Sequence, residues 1–175
     1  EAVTVRDPGT LATVLAGERG RVRVDGSSAP AAAKALLLEA GAEVVEGRDP
    51  CLMPKAKKHP AEIAATTEAH LRDGAAVARF LHWFDGEAPK GGLTEIDAAR
   101  GLEGFRAETG ALKEISFDTI SAAGAHAALP HYRVSEESNA PIRPGEVFLI
   151  DSGGQYVDGT TDITRTIAVG EIDAE

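Results

Sequence analysis

The chain has 175 residues, 43% hydrophobic and 26% charged, a composition that excludes both a disordered and a membrane-embedded protein. Its net charge of −10 argues against nucleic acid or an anionic membrane surface as partner, since both demand a basic face that neutralises phosphate, and KAKKH at 55–59 is too brief to supply one. A lone cysteine, Cys51, excludes an internal disulfide, and neither a membrane-length apolar run nor a signal-like start is present, so a reducing, cytoplasmic setting is expected.

In chain order, the first fifty residues have an α/β rhythm. TLATVLAGERG predicts a short helix closed by glycine, and RVRVDG (21–26) alternates as a strand. SSAPAAAKALLLEAG predicts a helix with a serine cap, a proline in its first turn and Gly41 as its stop; AEVVEG (42–47) predicts a second strand. The resulting βαβ-like piece has no dinucleotide-binding glycine pattern after Gly26. RDPCLMP (48–54) reads as a linker.

The strongest predicted helix follows, with Pro60 at its start, Glu62 near its positive end, and Ile63, Thr67, Leu71, Val77, Leu81 and Phe84 as its apolar face. PKGG (89–92) turns the chain into a second helix, begun by Thr94 with Asp97 as a capping-box acid and ended at Gly110, so that the two helices form a hairpin. From Ile115 onward strands and turns are expected: ISFDTISAAG as β-like, ALPHYRV as a short extended segment, NAPIRPGE as a turn, then EVFLIDSG and TDITRTIAVG as the strongest strands. A mixed α/β (α+β) fold follows.

Those last strands carry the candidate chemistry. On VFLID, Asp151 shares a face with Val147 and Leu149, while Phe148 and Ile150 face the other way. On TDITRTI, Asp162, Thr164 and Thr166 share one face. With Asp158-Gly159 as the reversal, antiparallel pairing sets Asp151 and Asp162 side by side. Carboxylates that close repel unless one is protonated or a cation lies between them, and a hard divalent ion such as Mn²⁺ is the simplest resolution. Without its surroundings, the same spacing is more often that of a turn cap and a solvated strand residue.

The surroundings narrow the choice. PGEVFLIDSGGQYVDGTTDITRT resembles the corresponding stretch of the aminopeptidase P family, metallopeptidases with the pita-bread fold. PKAKKHPAEI…EAHLRDGAAVARFLHWF resembles the family's first catalytic-domain helix, PKGGLTEIDAA its second, and FDTISAAGAHAALPHYRV the strands before its substrate-binding histidine. The resemblance runs from about Pro54 to the end and, in the spacing from HY to the first aspartate, is to the larger three-domain members. It implies that residues 1–53 end a non-catalytic α/β domain and that 54–175 form the first half of the pita-bread domain.

It implies further a hydrolase with two divalent metal ions, usually Mn²⁺, that removes the N-terminal residue of peptides with proline in second position. Asp151 would chelate one metal and Asp162 would bridge both, with a hydroxide activated between them. His131 would hydrogen-bond the substrate as the tetrahedral intermediate forms. Thr164 would stand behind Asp162. The family completes its site with a histidine and two glutamates from the second half of the domain, and commonly as a homodimer. The chain starts at Glu1 without an initiator methionine and stops before those ligands, so a piece of a longer polypeptide is expected, inactive by itself and with apolar surface near Phe148 and Ile167 awaiting partners. Two positions depart from the family: His59, where asparagine is usual, and His126, where small or polar residues are. His70 and His82 read as helix residues. The alternatives are another pita-bread hydrolase, of prolidase or creatinase type, and a metal-free peptide- or protein-binding module.

Overall fold

The computed structural model describes residues 4–172 and divides the chain into two compact units, meeting at Lys58 and His59. In the first unit, helix α1 (Leu11–Ala16) precedes strand β1 (Arg21–Val24), helix α2 (Ala31–Glu39) and strand β2 (Glu43–Glu46). The strands pair in parallel, from Arg21 opposite Glu43 to Val24 opposite Glu46, with α2 as the crossover that parallel pairing demands. A small core of Val24, Leu37 and Ala42 is filled out by Leu15, Val22, Ala29 and Val44.

Two local expectations fail here. Pro30 occupies the N-cap of α2 without a side-chain bond, because Ser27 spends both its amide and its hydroxyl on Asp25. Asp25 also accepts from the Asp49 amide at 2.8 Å, and with Ser27 as the largest influence its carboxyl is lowered to about 2. The presumed linker contains a helical turn, α3 (Leu52–Ala56), which begins after Cys51 and includes Pro54 in its first turn, where a missing amide costs nothing.

The second unit begins with helix α4 (Pro60–Glu87), capped by His59, whose Nδ1 accepts from the Ala61 amide at 3.2 Å while Glu62 returns to the His59 amide. Helix α5 (Glu95–Ala107) has the same reciprocal cap between Thr94 and Asp97. The buried face of α4 differs from the expected one: Ala69, Asp73, Ala76, Val77, Phe80 and Phe84 face inward, while Ile63 and Leu71 are exposed. Small residues let α5 approach, and at Gly101 a Cβ would stand 2.9 Å from the Trp83 ring.

The remaining strands are β3 (Leu112–Ile115), β4 (Ile120–Ala123), β5 (Val147–Ser152), β6 (Gly154–Tyr156) and β7 (Ile163–Ala168). An antiparallel sheet runs β4-β5-β7, and β6 leaves it to pair with β3. ALPHYRV is not extended: a 3-10 turn over Gly124–Ala128 is followed by tight reversals. Phe148 and Ile150 enter a core with Val77, Phe80, Phe84 and Leu102, and the Phe84 and Phe148 rings stack at 4.7 Å. Phe148 is thus fully buried and Ile167 is packed against the same core, so the helices cover this face of the sheet and it does not await a partner.

A polar network crosses the interior. Arg106 donates to Asp73 at 2.7 and 3.2 Å and to the Ser152 hydroxyl at 3.0 Å, and the Tyr156 hydroxyl donates to Asp73 at 2.7 Å. It joins α4, α5, β5 and β6, each member satisfying another's buried polar atoms. Burial pushes the Tyr156 hydroxyl's pKa far above its usual range, reinforced by the bond to Asp73.

Candidate metal centre and the His131 segment

The face of β5 opposite the core carries Val147, Leu149 and Asp151, as the alternation predicts. Across the ladder, Asp151 pairs with Thr164, not with Asp162, and the Thr164 hydroxyl donates to Asp151 Oδ1 at 2.8 Å. The Thr161 amide bond to the Gly154 carbonyl, 2.9 Å, continues that register past Ser152–Ile163. Asp162 therefore falls one pair further along, as the diagonal neighbour of Asp151; diagonal positions in such ladders stand about 7–8 Å apart. Side-by-side placement is corrected by two residues, and the shared face is kept.

Gly153 and Gly154 explain the breakers between the aspartates. A Cβ at Gly153 would collide with the Thr161 carbonyl and the Ser116 hydroxyl, and one at Gly154 would lie 2.8 Å from the Tyr156 ring. Only glycine lets the chain cross from β5 into β6 at that proximity. Asp158 belongs to the turn between β6 and β7, held by Arg72 of α4 through two bonds of 3.0 and 2.9 Å. The Arg72 bond holds the Asp158 carboxyl below its usual range.

Among the described residues neither Asp151 nor Asp162 has a basic side chain within ion-pair reach, although ion pairs are common elsewhere on the molecule. Two oxygen-donor carboxylates on one open face, one of them oriented by a hydroxyl, are the donor set of a hard divalent cation. They are also too few: among the described residues no group of three His, Cys, Asp or Glu side chains could hold a metal ion. His131 accordingly does not join the aspartates as a ligand.

His131 is exposed and has φ 56°, the left-handed region that non-glycine residues rarely enter. Beside it the Tyr132 ring stacks on His126 at 4.4 Å, and both bind the fully buried Glu95: His126 Nδ1 lies 2.8 Å from Oε1, and the Tyr132 hydroxyl donates to Oε2 at 2.9 Å. His126 is thus a partner of Glu95, while His70 and His82 lie exposed on α4. Glu95 was invisible in the sequence because its helix start already has a cap acid, Asp97; a second carboxylate in that first turn, TEID, was the one available signal.

The mixed helix-and-sheet architecture, with its antiparallel strands packed under two helices, is of the pita-bread class. Residues 64–175 match metallopeptidase family M24, and the chain belongs to that family. It is 44% identical over 127 residues to human Xaa-Pro aminopeptidase 2, covering 73% of this chain and 19% of that protein. It is 46% identical over 125 residues to aminopeptidase P2 of Arabidopsis thaliana, covering 71% and 18%. Its fold matches the X-prolyl aminopeptidase of Caenorhabditis elegans, a cytosolic enzyme with a di-nuclear active site, with TM-score 0.79 and 32% identity over 94% of this chain and 28% of that one. The Xaa-Pro dipeptidase of Bacillus anthracis matches with TM-score 0.75 and 28% identity over 93% and 45%. The chain thus spans about a fifth of the curated relatives' length. No helix among the described residues is long and apolar enough to cross a membrane.

Proposed function

We propose that this chain carries the first half of the active site of a Xaa-Pro aminopeptidase, which hydrolyses the bond between a peptide's first residue and a proline in second position. The observation that carries it is the β5–β7 register, which keeps Asp151 and Asp162 on one open face without cationic partners among the described residues. The curated relatives' names point to aminopeptidase chemistry, and the C. elegans neighbour's di-nuclear site points to two ions. Mn²⁺ is the expected metal, as an ion that takes hard oxygen ligands.

In this reading Asp151 and Asp162 are the residues that would hold the ions. The ions, when bound, supply Lewis-acid activation of water and of the scissile carbonyl. Thr164 holds Asp151 Oδ1 through its hydroxyl and leaves the other oxygen free. His131, exposed at the tip of its turn, donates a hydrogen bond to the substrate's carbonyl oxygen as charge develops there. Asp158 and Arg72 fix the turn, not the chemistry. The remaining ligands would come from a second half-domain, and a homodimer of the complete polypeptide in the cytoplasm is part of the same proposal. Residues 1–53 would close a preceding non-catalytic domain.

The isolated 175-residue chain is then inactive, since two carboxylates cannot complete two coordination spheres. Release of alanine from Ala-Pro-Ala is the test: the Mn²⁺-loaded complete polypeptide releases it and the chain alone does not. Turnover by the chain alone would overturn the claim of incompleteness. Absence of turnover by the complete polypeptide, with Ala-Leu-Ala or a dipeptide cleaved instead, would favour a prolidase or another hydrolase of this fold.

A further inference from the structure

We propose that Glu95 is a positioning residue for His131: its buried carboxylate clasps the segment from Ala123 to Ala140, through His126 and Tyr132, and so imposes the backbone geometry that presents the His131 ring. The inference rests on the reading of His131 given above. Glu95 is fully buried at the first position of α5 and takes no part in that helix's cap, which Thr94 and Asp97 complete between themselves. A buried carboxylate must be satisfied, and all of its satisfaction comes from one stretch of chain. Oε1 accepts from the Ala123 amide at 2.7 Å and meets His126 Nδ1 at 2.8 Å; Oε2 accepts from the Tyr132 hydroxyl at 2.9 Å and the Ala140 amide at 3.0 Å. These partners lie on both sides of His131 in sequence, at the two ends of the segment and next to the histidine itself.

The base of the clasp is rigid. The Glu95 amide donates to the Ala140 carbonyl at 3.0 Å, the Ile96 amide to Asn139 Oδ1 at 3.1 Å, and the Ile142 amide to the Leu93 carbonyl at 2.9 Å. The start of α5 and the end of the segment therefore move as one body. Within the loop, the Leu129 amide binds the His126 carbonyl at 3.0 Å, and the Tyr132 amide binds the Leu129 carbonyl at 3.2 Å, closing a turn whose central residues are Pro130 and His131. A histidine in the left-handed region costs about 1–3 kcal/mol and persists only where the surroundings over-determine it. Here those surroundings are the Leu129–Tyr132 turn and the side chains that anchor its end, His126 and Tyr132, stacked on one another and both tied to Glu95. The carboxylate does not touch the site face; it acts through the backbone of its neighbours.

The test separates positioning from bulk stability. In the chain itself, the one-bond Cα–Hα coupling of His131 reports its positive φ, and amide exchange reports Ala123 and Ala140. Glu95→Gln is expected to abolish the left-handed signature and to accelerate exchange at both amides. In the Mn²⁺-loaded complete polypeptide, Glu95→Gln is expected to lower kcat for Ala-Pro-Ala by about 10–100-fold with KM within about twofold, the scale of a small misplacement of a catalytic group. On a His131→Ala background the same change should cost less than about twofold. An equal loss on both backgrounds, or a His131 φ unchanged in Glu95→Gln, would overturn the proposal. If His131→Ala retains full activity, the catalytic reading of His131 falls, and the coupling measurement alone decides the clasp. Should Glu95→Gln not fold, Tyr132→Phe and His126→Asn each remove one partner: partial loss of the signature upholds the clasp, and its full retention in both refutes it.

Discussion

Thr164 stands directly across the β5–β7 ladder from Asp151 and donates its hydroxyl to Asp151 Oδ1 at 2.8 Å. That bond fixes one carboxylate oxygen and leaves the other without a hydrogen-bond partner among the described residues. Thr164→Val keeps the β-branched shape on an exposed strand position and removes only the hydroxyl. The complete polypeptide should then bind Mn²⁺ about 10–100-fold more weakly, the usual consequence of losing the group that orients a metal ligand, with thermal stability unchanged. Calorimetric titration with Mn²⁺ gives the answer; unaltered affinity would mean the hydroxyl serves the sheet alone.

The Asp73–Arg106 pair is the most deeply buried ion pair among the described residues, and it makes a pH prediction. Burial alone would raise the Asp73 carboxyl, but the bonds from Arg106 and Tyr156 outweigh it and the net shift is downward from 3.8. A carboxyl lowered in the folded state contributes stability that is fully present above its unfolded pKa and lost as pH falls below about 4 through the folded value. Arg106→Met should cost about 3–5 kcal/mol at neutral pH, because an unpaired carboxylate stays buried. It should also invert the pH dependence near pH 4, since burial then prevails and protonation relieves the fold. Urea unfolding of the chain at pH 3 and pH 7 measures both; a variant whose stability still rises with pH would contradict the pairing.

Tyr156→Phe is the milder probe of the same network. It keeps the ring against Gly154 and removes the hydroxyl that binds Asp73. A loss of about 1–3 kcal/mol in urea unfolding is expected for one buried hydrogen bond to a charged group. A neutral substitution would show that Arg106 alone satisfies the carboxylate.

Much of this was legible in the sequence, and the failures have physical causes. Period-two alternation placed Asp151 with Val147 and Leu149, and the β5 burial pattern agrees. Pro60 marked the start of α4, and the Thr94–Asp97 capping box that of α5, while the reciprocal cap of His59 and Glu62 was not foreseen. The face of α4 was misread because large apolar residues were taken as inward, whereas the buried face also carries the small Ala69 and Ala76 and the buried charge of Asp73. Asp73 and Arg106 lie far apart in sequence, and nothing local announces that one neutralises the other. The aspartate register was off by two because the reversal falls at Val157–Asp158: the Tyr156 amide binds the Gly159 carbonyl and Gln155 bridges Thr160, and the same unbroken ladder sets Thr164 opposite Asp151. GAHAA gave no strand because Glu95 draws it into a turn, a contact from another element.

The crossing from β5 into β6 also sets a steric limit. Gly153→Ala places a methyl group against the Thr161 carbonyl, which belongs to the backbone and has no rotamer to yield. The substitution is expected to destabilise the chain by about 3 kcal/mol, the upper range for overpacking, and to abolish Mn²⁺ binding by displacing Asp162 from Asp151. Circular dichroism melts of the variant decide it: a Tm equal to that of the parent would show that the crossing has room to spare.

The most direct test of the central reading is the metal content of the complete polypeptide, measured by mass spectrometry after Mn²⁺ loading, for the parent and Asp162→Asn, alongside alanine release from Ala-Pro-Ala. If Asp151 and Asp162 hold a dinuclear centre, the parent retains two ions, Asp162→Asn retains at most one, and peptide turnover falls by orders of magnitude. If Asp162→Asn keeps both its ions and its rate, the shared face of β5 and β7 is not the metal site.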